Sequence, residues 1–493
     1  MDGKIKKTIL LNSFSSVLQL GLNTVIILIL YKIIIRELGL EIFGIWSLLN
    51  SIILTVQSTN LGLNGGIVKF IGNAYGEGDK DKISRIIHSA IILCVIIYAL
   101  FIFLLYIFIV NKPQWIIKRD YIDIFLKVLP AMLISNYLYM ISLSLQYSMD
   151  GLQKIYIRNI ILTLASIINL ILCSITIPRY KLEGLIWSNI VQYVFISSMF
   201  VFFLRSYIFR EIKLDFALLK TIIGYSIKLQ IISVAVIFFD PVIKYYLTTF
   251  SSPKFISYYE ISSKIQNFAK SFIYAICNTI TPSISYLQMN NRETINKIFN
   301  QAFENLSLVS FFLLSIAIII TPLLSLYWLG KVEFYVIIFS SILFLPNVIH
   351  SIVSVHQSVL YGLGEVKSLV QAHIVIMLIN IIFGYLFGIM FSSIGVVISW
   401  SVALLSGSFI ILNGVRKFII YDQNIVDYLI KYKFILIYFL ILFLANLYSI
   451  LELINRNFLY ILFLSFIEII LLIILMINYK VFNLIKTLVV NIR

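Results

Sequence analysis

The sequence predicts an all-α polytopic membrane protein of about fourteen spans, and three observations carry that reading. Of its 493 residues 61% are hydrophobic and only 12% charged, whereas charged residues make up about a quarter of an ordinary soluble domain. The apolar residues are gathered in runs of the roughly 20 residues that a bilayer-crossing helix needs. The stretch from Gln146 also returns, without a gap, from Gln357. The same register pairs Gly151 with Gly362, Asn169 with Asn380 and Gly184 with Gly395, each 211 residues apart.

The first span follows a basic head (Lys4, Lys6, Lys7) and runs from Thr8 to Ile35. A cleavable signal has an apolar core of only about 7–15 residues, so this segment is expected to stay. Hydropathy then places spans near 42–66, 86–110, 122–149, 160–178, 184–205, 221–249, 255–289, 299–328, 333–361, 370–391, 393–415, 433–451 and 457–478. The repeat covers the fourth to sixth and the tenth to twelfth of these. Six spans, an even number, separate the copies, so both insert in the same direction, as parallel repeats about the membrane normal do. The implied organisation is an N-lobe over 1–210, a C-lobe over 211–418 and a terminal helix pair over 419–493. Lobes of this kind enclose a site and rock about it, which makes a transporter the leading class.

Charge sets the expected orientation. With the amino terminus inside, 23 of the 38 Lys and Arg residues fall in inner connections and nine in outer ones, so the positive-inside rule puts both termini in the cytoplasm of a bacterial inner membrane. The formal charge of +16 is scattered between spans rather than gathered in a tract, which favours membrane lipids over nucleic acid as the acidic partner. Cys94, Cys173 and Cys277 lie in separate apolar runs without disulfide or zinc spacing. Neither a P-loop nor a serine elbow occurs. The longest outer connection, near Val110 to Tyr121, is too short for a catalytic lobe, so neither an enzyme, such as a membrane glycan polymerase or ligase, nor a cofactor is expected.

Ionisable groups inside hydrocarbon usually face a bundle interior or a wet cavity. Asn12, Ser16, Gln19 and Asn23 share one face of the first span, as cavity lining or as hydrogen-bonding glue between helices. In the seventh span Asp240 and Lys244 are four apart beside Pro241, a structural ion pair or an ion-coupling site. The eighth span is the most polar: Glu260, Lys264, Asn267, Lys270, Ser271, Tyr274 and Asn278 occupy a face about 120° wide. An amphipathic helix lying on the membrane surface is the alternative, but its length and the span count favour an inward face on which two ammonium groups meet a phosphorylated headgroup. Lys32, Arg36, Lys69, Lys127 and Lys228 are expected to snorkel. His88, His350, His356 and His373 have no i, i+4 spacing and are read as structural rather than metal-binding.

The segment Leu38-Gly39-Leu40-Glu41-Ile42-Phe43-Gly44-Ile45-Trp46-Ser47-Leu48-Leu49, then Leu61-Gly62-Leu63, the loop Gly72-Asn73-Ala74-Tyr75-Gly76-Glu77-Gly78-Asp79 and the stretch Gln357 to Gly364 resemble bacterial polysaccharide flippases of the O-antigen (Wzx) type, in the multidrug/oligosaccharidyl-lipid/polysaccharide exporter superfamily. The resemblance spans nearly the whole chain. It implies a twelve- or fourteen-helix fold with a V-shaped cavity, and translocation of undecaprenyl-diphosphate-linked oligosaccharide from the cytoplasmic to the external leaflet, with polysaccharide polymerase machinery as a further partner. It also implies that cationic cavity residues meet the diphosphate, here Lys264 and Lys270, where relatives often carry arginine. A lipid II flippase and a multidrug exporter of the same superfamily remain open. The drug exporter fits less well, since cationic drugs need acids where the eighth span carries lysines.

Overall fold

The computed structural model of the chain describes residues 3–58, 63–210, 236, 238–287, 292–363, 365, 367–418, 438, 467–474 and 476. Most of the expected seventh, thirteenth and fourteenth spans lies outside the described residues. Helices among the described residues are α1 (Gly3–Ser58), α2 (Leu63–Glu77), α3 (Lys80–Asn111), α4 (Ile122–Gly151), α5 (Ile155–Ile208), α6 (Phe239–Phe250), α7 (Pro253–Leu287), α8 (Arg292–Leu329), α9 (Phe334–Leu363) and α10 (Lys367–Val415). Seven helical segments among the described residues are long and apolar enough to cross a membrane, so this is a multi-pass membrane protein.

Three of the helices are too long to be single spans. At 1.5 Å per residue the 54 residues of α5 would reach about 81 Å, against a hydrocarbon core of about 30 Å. Each long helix is broken by one residue of non-helical backbone: Gly39 in α1, Lys181 in α5 and Ser392 in α10. Lys181 and Ser392 stand at positive φ (51° and 53°), and they are 211 residues apart. At both the chain doubles back. A Cβ added to Gly184 would lie 2.5 Å from the Thr176 carbonyl oxygen, and one added to Gly395 would lie 2.0 Å from that of Phe387. In a continuous helix, residues eight apart are about 12 Å apart. Only glycine permits backbones to close to this distance.

Part-buried polar bonds hold the α5 hairpin. Thr176 Oγ1 donates to the Gly184 carbonyl at 3.0 Å, and Asn169 Nδ2 donates to Asn189 Oδ1 at 3.0 Å. In α10, Gly407 receives the side chain of Ile376 and Gly414 that of Ser368. Shorter signals fix other ends. Asp79 caps α3 by accepting from the Lys82 backbone N–H at 2.8 Å, with Gly78 at positive φ closing α2 just before it.

The chain forms two compact units, Met1–Thr249 and Phe250–Arg493. Within the first unit α6 is anchored by Lys244, whose Nζ donates to the Ser47 carbonyl at 3.4 Å. The first unit has a core of α2, α3, α4 and α5 side chains, including Ile71, Ile87, Tyr98, Met149 and Phe200. In the second, α9 is the central helix, mostly buried between α7, α8 and α10. Although long enough to span, α7 falls outside the seven apolar segments. Its polar residues lower its hydropathy, and Ser262, Gln266 and Lys270 among them bond to α9. The three cysteines are free and buried, with Cys94 accepting from Ser144 at 3.0 Å and Cys277 bonded to Ser354 at 2.9 Å.

Candidate functional site

The seam between α7 and α9 is a ladder of buried polar bonds. Ser262 Oγ donates to the Val336 carbonyl at 2.8 Å, and one turn on Gln266 Nε2 donates to that of Ser340 at 2.7 Å. A further turn on, Lys270 Nζ donates to Asn347 Oδ1 at 3.0 Å, while Asn347 Nδ2 donates to Gln266 Oε1. The i, i+4 spacing of 262, 266 and 270 puts the three on one stripe of α7, and the pairing partners ascend α9 in the same order, so the two helices run parallel.

At Lys270 the ladder changes character. The amine is the only ionisable member, its acceptor is a neutral amide, and among the described residues no carboxylate pairs with it. One turn further along α9, His350 Nδ1 lies 3.2 Å from Ser408 Oγ on the second arm of α10. His373 donates from Nδ1 to its own helix at Leu369 O, 2.7 Å away. A half-buried cation with amide and hydroxyl neighbours, and no carboxylate paired with it among the described residues, has no counter-charge of its own there. Such a cluster can bind phosphate-type groups by charge-assisted bonds.

The other expected residues fall in different places. Lys264, Glu260 and Tyr274 of α7 are half-buried, and Asn267 is exposed, on a different face from Gln266. The side chain of Asn278 lies outside the description. Gln266 and Asn347 were missed by the sequence reading. Gln266 lay in plain view four residues before Lys270, whereas the 77-residue spacing to Asn347 carries no periodic signal.

In the first unit Asn12 is buried and ties α1 to the start of α5. Its Oδ1 accepts from the Tyr156 backbone N–H at 3.0 Å and its Nδ2 donates to the Gln153 carbonyl at 3.3 Å. Beside it Asn159 Nδ2 donates to Ser15 and Ser16, both at 2.9 Å. Gln19 and Asn23, further along the stripe, are half-buried. Asp240 and Lys244 form an ion pair of 2.6 Å in which the lysine side chain is 5% exposed and the aspartate 48%. Lys127 pairs at the surface with Glu183 at 2.8 Å. His88 sits between Ser84 and the Ile208 carbonyl, joining α3 to the end of α5, and His356 is packed edge-on between Phe299 and Phe303.

The MatE family model matches residues 13–175, a third of the chain. No curated protein matches this sequence. Among solved structures, an inward-facing multidrug resistance MATE transporter of the MOP superfamily is similar at a TM-score of 0.69 and 13% identity, over 81% of this chain and 94% of that one. The lipid II flippase MurJ, in an inward closed conformation, is similar at 0.67 and 16%, over 96% and 99%. A MOP superfamily transporter from Pyrococcus furiosus Vc1 is similar at 0.61 and 16%, over 84% and 96%. At these identities the likeness is one of fold, and the chain has the fold of MOP superfamily transporters.

Proposed function

We propose that the chain is a flippase carrying undecaprenyl-diphosphate-linked oligosaccharide from the cytoplasmic to the external leaflet, with fourteen spans, two six-helix lobes and cytoplasmic termini. The observation that carries this reading is Lys270, a half-buried amine in the polar seam, held by the neutral Asn347 oxygen. The cost of burying that charge is best offset by an anion that comes and goes. A diphosphate carries roughly two negative charges, each worth about 2.3 kcal/mol per 100 mV, so its outward movement runs downhill against an interior-negative potential. A bare phosphate cannot enter hydrocarbon, and a cationic site supplies the passage. In this reading Lys264 stands on the same helix as a second cation, and the Asp240–Lys244 pair is the candidate for coupling.

Transport of lipid II is the second reading. It is favoured by the likeness to MurJ over nearly the whole of both chains, where the multidrug transporter leaves a fifth of this chain unmatched. The test is a strain lacking its own O-antigen flippase, complemented at matched membrane abundance, with surface glycan and accumulated lipid-linked oligosaccharide both measured. Rescue by the chain, lost in the Lys264→Ala, Lys270→Ala double variant, is expected. Full export by that double variant would remove the cationic mechanism. Rescue of a lipid II flippase depletion instead would select the second reading.

A further inference from the structure

We infer that His350 is a direct ligand of the diphosphate, completing with Lys270 an anion site that lies wholly within the second unit. The inference rests on the proposed flippase function and adds a residue that the sequence gives no reason to choose. Asn347 and His350 are three apart on α9, and residues so spaced are neighbours on a helix surface, with Cβ atoms about 5–6 Å apart. Asn347 holds the Lys270 amine at 3.0 Å, so amine and imidazole emerge on the same side of α9. The helix arms confirm the placement. Gly407 of α10 lies 3.3 Å from the Ala372 carbonyl when given a Cβ, and its neighbour Ser408 bonds to His350, so His350 faces the seam where the two arms of α10 meet. Lys270 and His373 lie within electrostatic reach of it.

The ring is oriented and half used. Ser408 engages Nδ1, and no other partner of His350 exists among the described residues. The His350 side chain is only half-buried. Lys270 is in the same condition: one of its three N–H donors is taken by Asn347 and its side chain keeps accessible surface. Two nitrogens therefore stand on one side of α9 with open donor positions, each oriented by a neutral hydrogen-bond partner. That arrangement fits an anion with several oxygens, such as the two phosphoryl groups of a diphosphate, better than a single carboxylate. A purely structural histidine is enclosed on both nitrogens or stacked, as His88 is between Ser84 and Ile208 and His356 between two phenylalanines.

The test uses the full chain in lipid nanodiscs with farnesyl diphosphate, farnesyl monophosphate, inorganic pyrophosphate and farnesol as probes. His350→Gln should weaken farnesyl diphosphate at least tenfold and the monophosphate less, with farnesol unchanged. In the unmodified protein, farnesyl diphosphate should protect His350 from carbethoxylation by diethyl pyrocarbonate, read by mass spectrometry, so the result does not depend on a variant that folds. Pyrophosphate protecting as well as farnesyl diphosphate would make the site one for the headgroup alone. Unchanged diphosphate affinity in His350→Gln, or no protection while Lys270→Ala still abolishes binding, overturns this inference and leaves the flippase reading standing. Failure of the unmodified protein to bind any diphosphate probe overturns both.

Discussion

Asn136 on α4 of the first unit and Asn347 on α9 of the second stand 211 residues apart, the spacing that also relates Lys181 to Ser392 and Gly184 to Gly395. Around the two asparagines the chemistry differs. Asn136 donates to its own helix at Met132 O, 3.1 Å away, whereas Asn347 is drawn across the seam to Gln266 and Lys270. Three residues on, Tyr139 takes the place of His350 and packs against Tyr193 with ring centroids 5.0 Å apart. Leu162 stands where His373 does, while Ser197 and Ser408 are alike. The units share the residues that close hairpins and let helices approach, and differ in the groups that face the polar seam: aromatic in the first, basic in the second. Backbone constraints tolerate few residue types, whereas a seam position accepts any group that finds a partner.

The comparison breaks first at the hairpins. Gly184→Ala and Gly395→Ala each place a methyl against carbonyl backbone that cannot yield, so each should cost about 3 kcal/mol or more and lose most folded protein in detergent size-exclusion. Tolerance of one and not the other would mean that the hairpins are not equivalent. The seams come next. Lys270→Ala should reduce export about tenfold or more, in line with the roughly 1.5–3 kcal/mol of a charge-assisted bond, and Lys270→Arg should retain part of it. Tyr139→Phe, which keeps the ring and loses only a hydroxyl, should stay within about twofold in the same surface-glycan assay.

The Asp240–Lys244 pair should give an intermediate effect. Asp240→Asn strands a nearly buried lysine, so it should destabilise by about 1–3 kcal/mol, less than a fully buried pair because the aspartate is half exposed. Activity recovered in the Asp240→Asn, Lys244→Met double variant would assign the pair to structure. Activity still lost would support coupling. The smallest effect is expected at the Arg210–Asp81 pair, whose aspartate is 81% exposed. Asp81→Asn should move thermal unfolding by less than about 1 kcal/mol.

Much of the architecture was legible because apolar runs and their interruptions are written in the sequence. The gap between the expected spans ending at 178 and starting at 184 contains Lys181, and the gap between 391 and 393 is Ser392 itself. The positive φ at those residues was not legible, since neither lysine nor serine advertises it. The 120° face of α7 was legible as a pattern, but periodicity cannot say which edge meets a neighbour. The structure picks Gln266 and Lys270, not Asn267, because their stripe finds acceptors on α9. The contact of Lys244 with the Ser47 carbonyl, 197 residues away, has no local signature either.

The reversals at Lys181 and Ser392 also bear on how the chain enters a bilayer. Each turns without a loop; the arms at Ser392 have no charged residue between them, whereas Arg179, Lys181 and Glu183 mark the turn of α5. Arms closed this tightly are expected to insert together, as a hairpin. A tag or protease site placed at either turn would then report disruption of insertion rather than the side on which the turn lies, and orientation is better mapped from Asp79, whose connection to α3 is exposed.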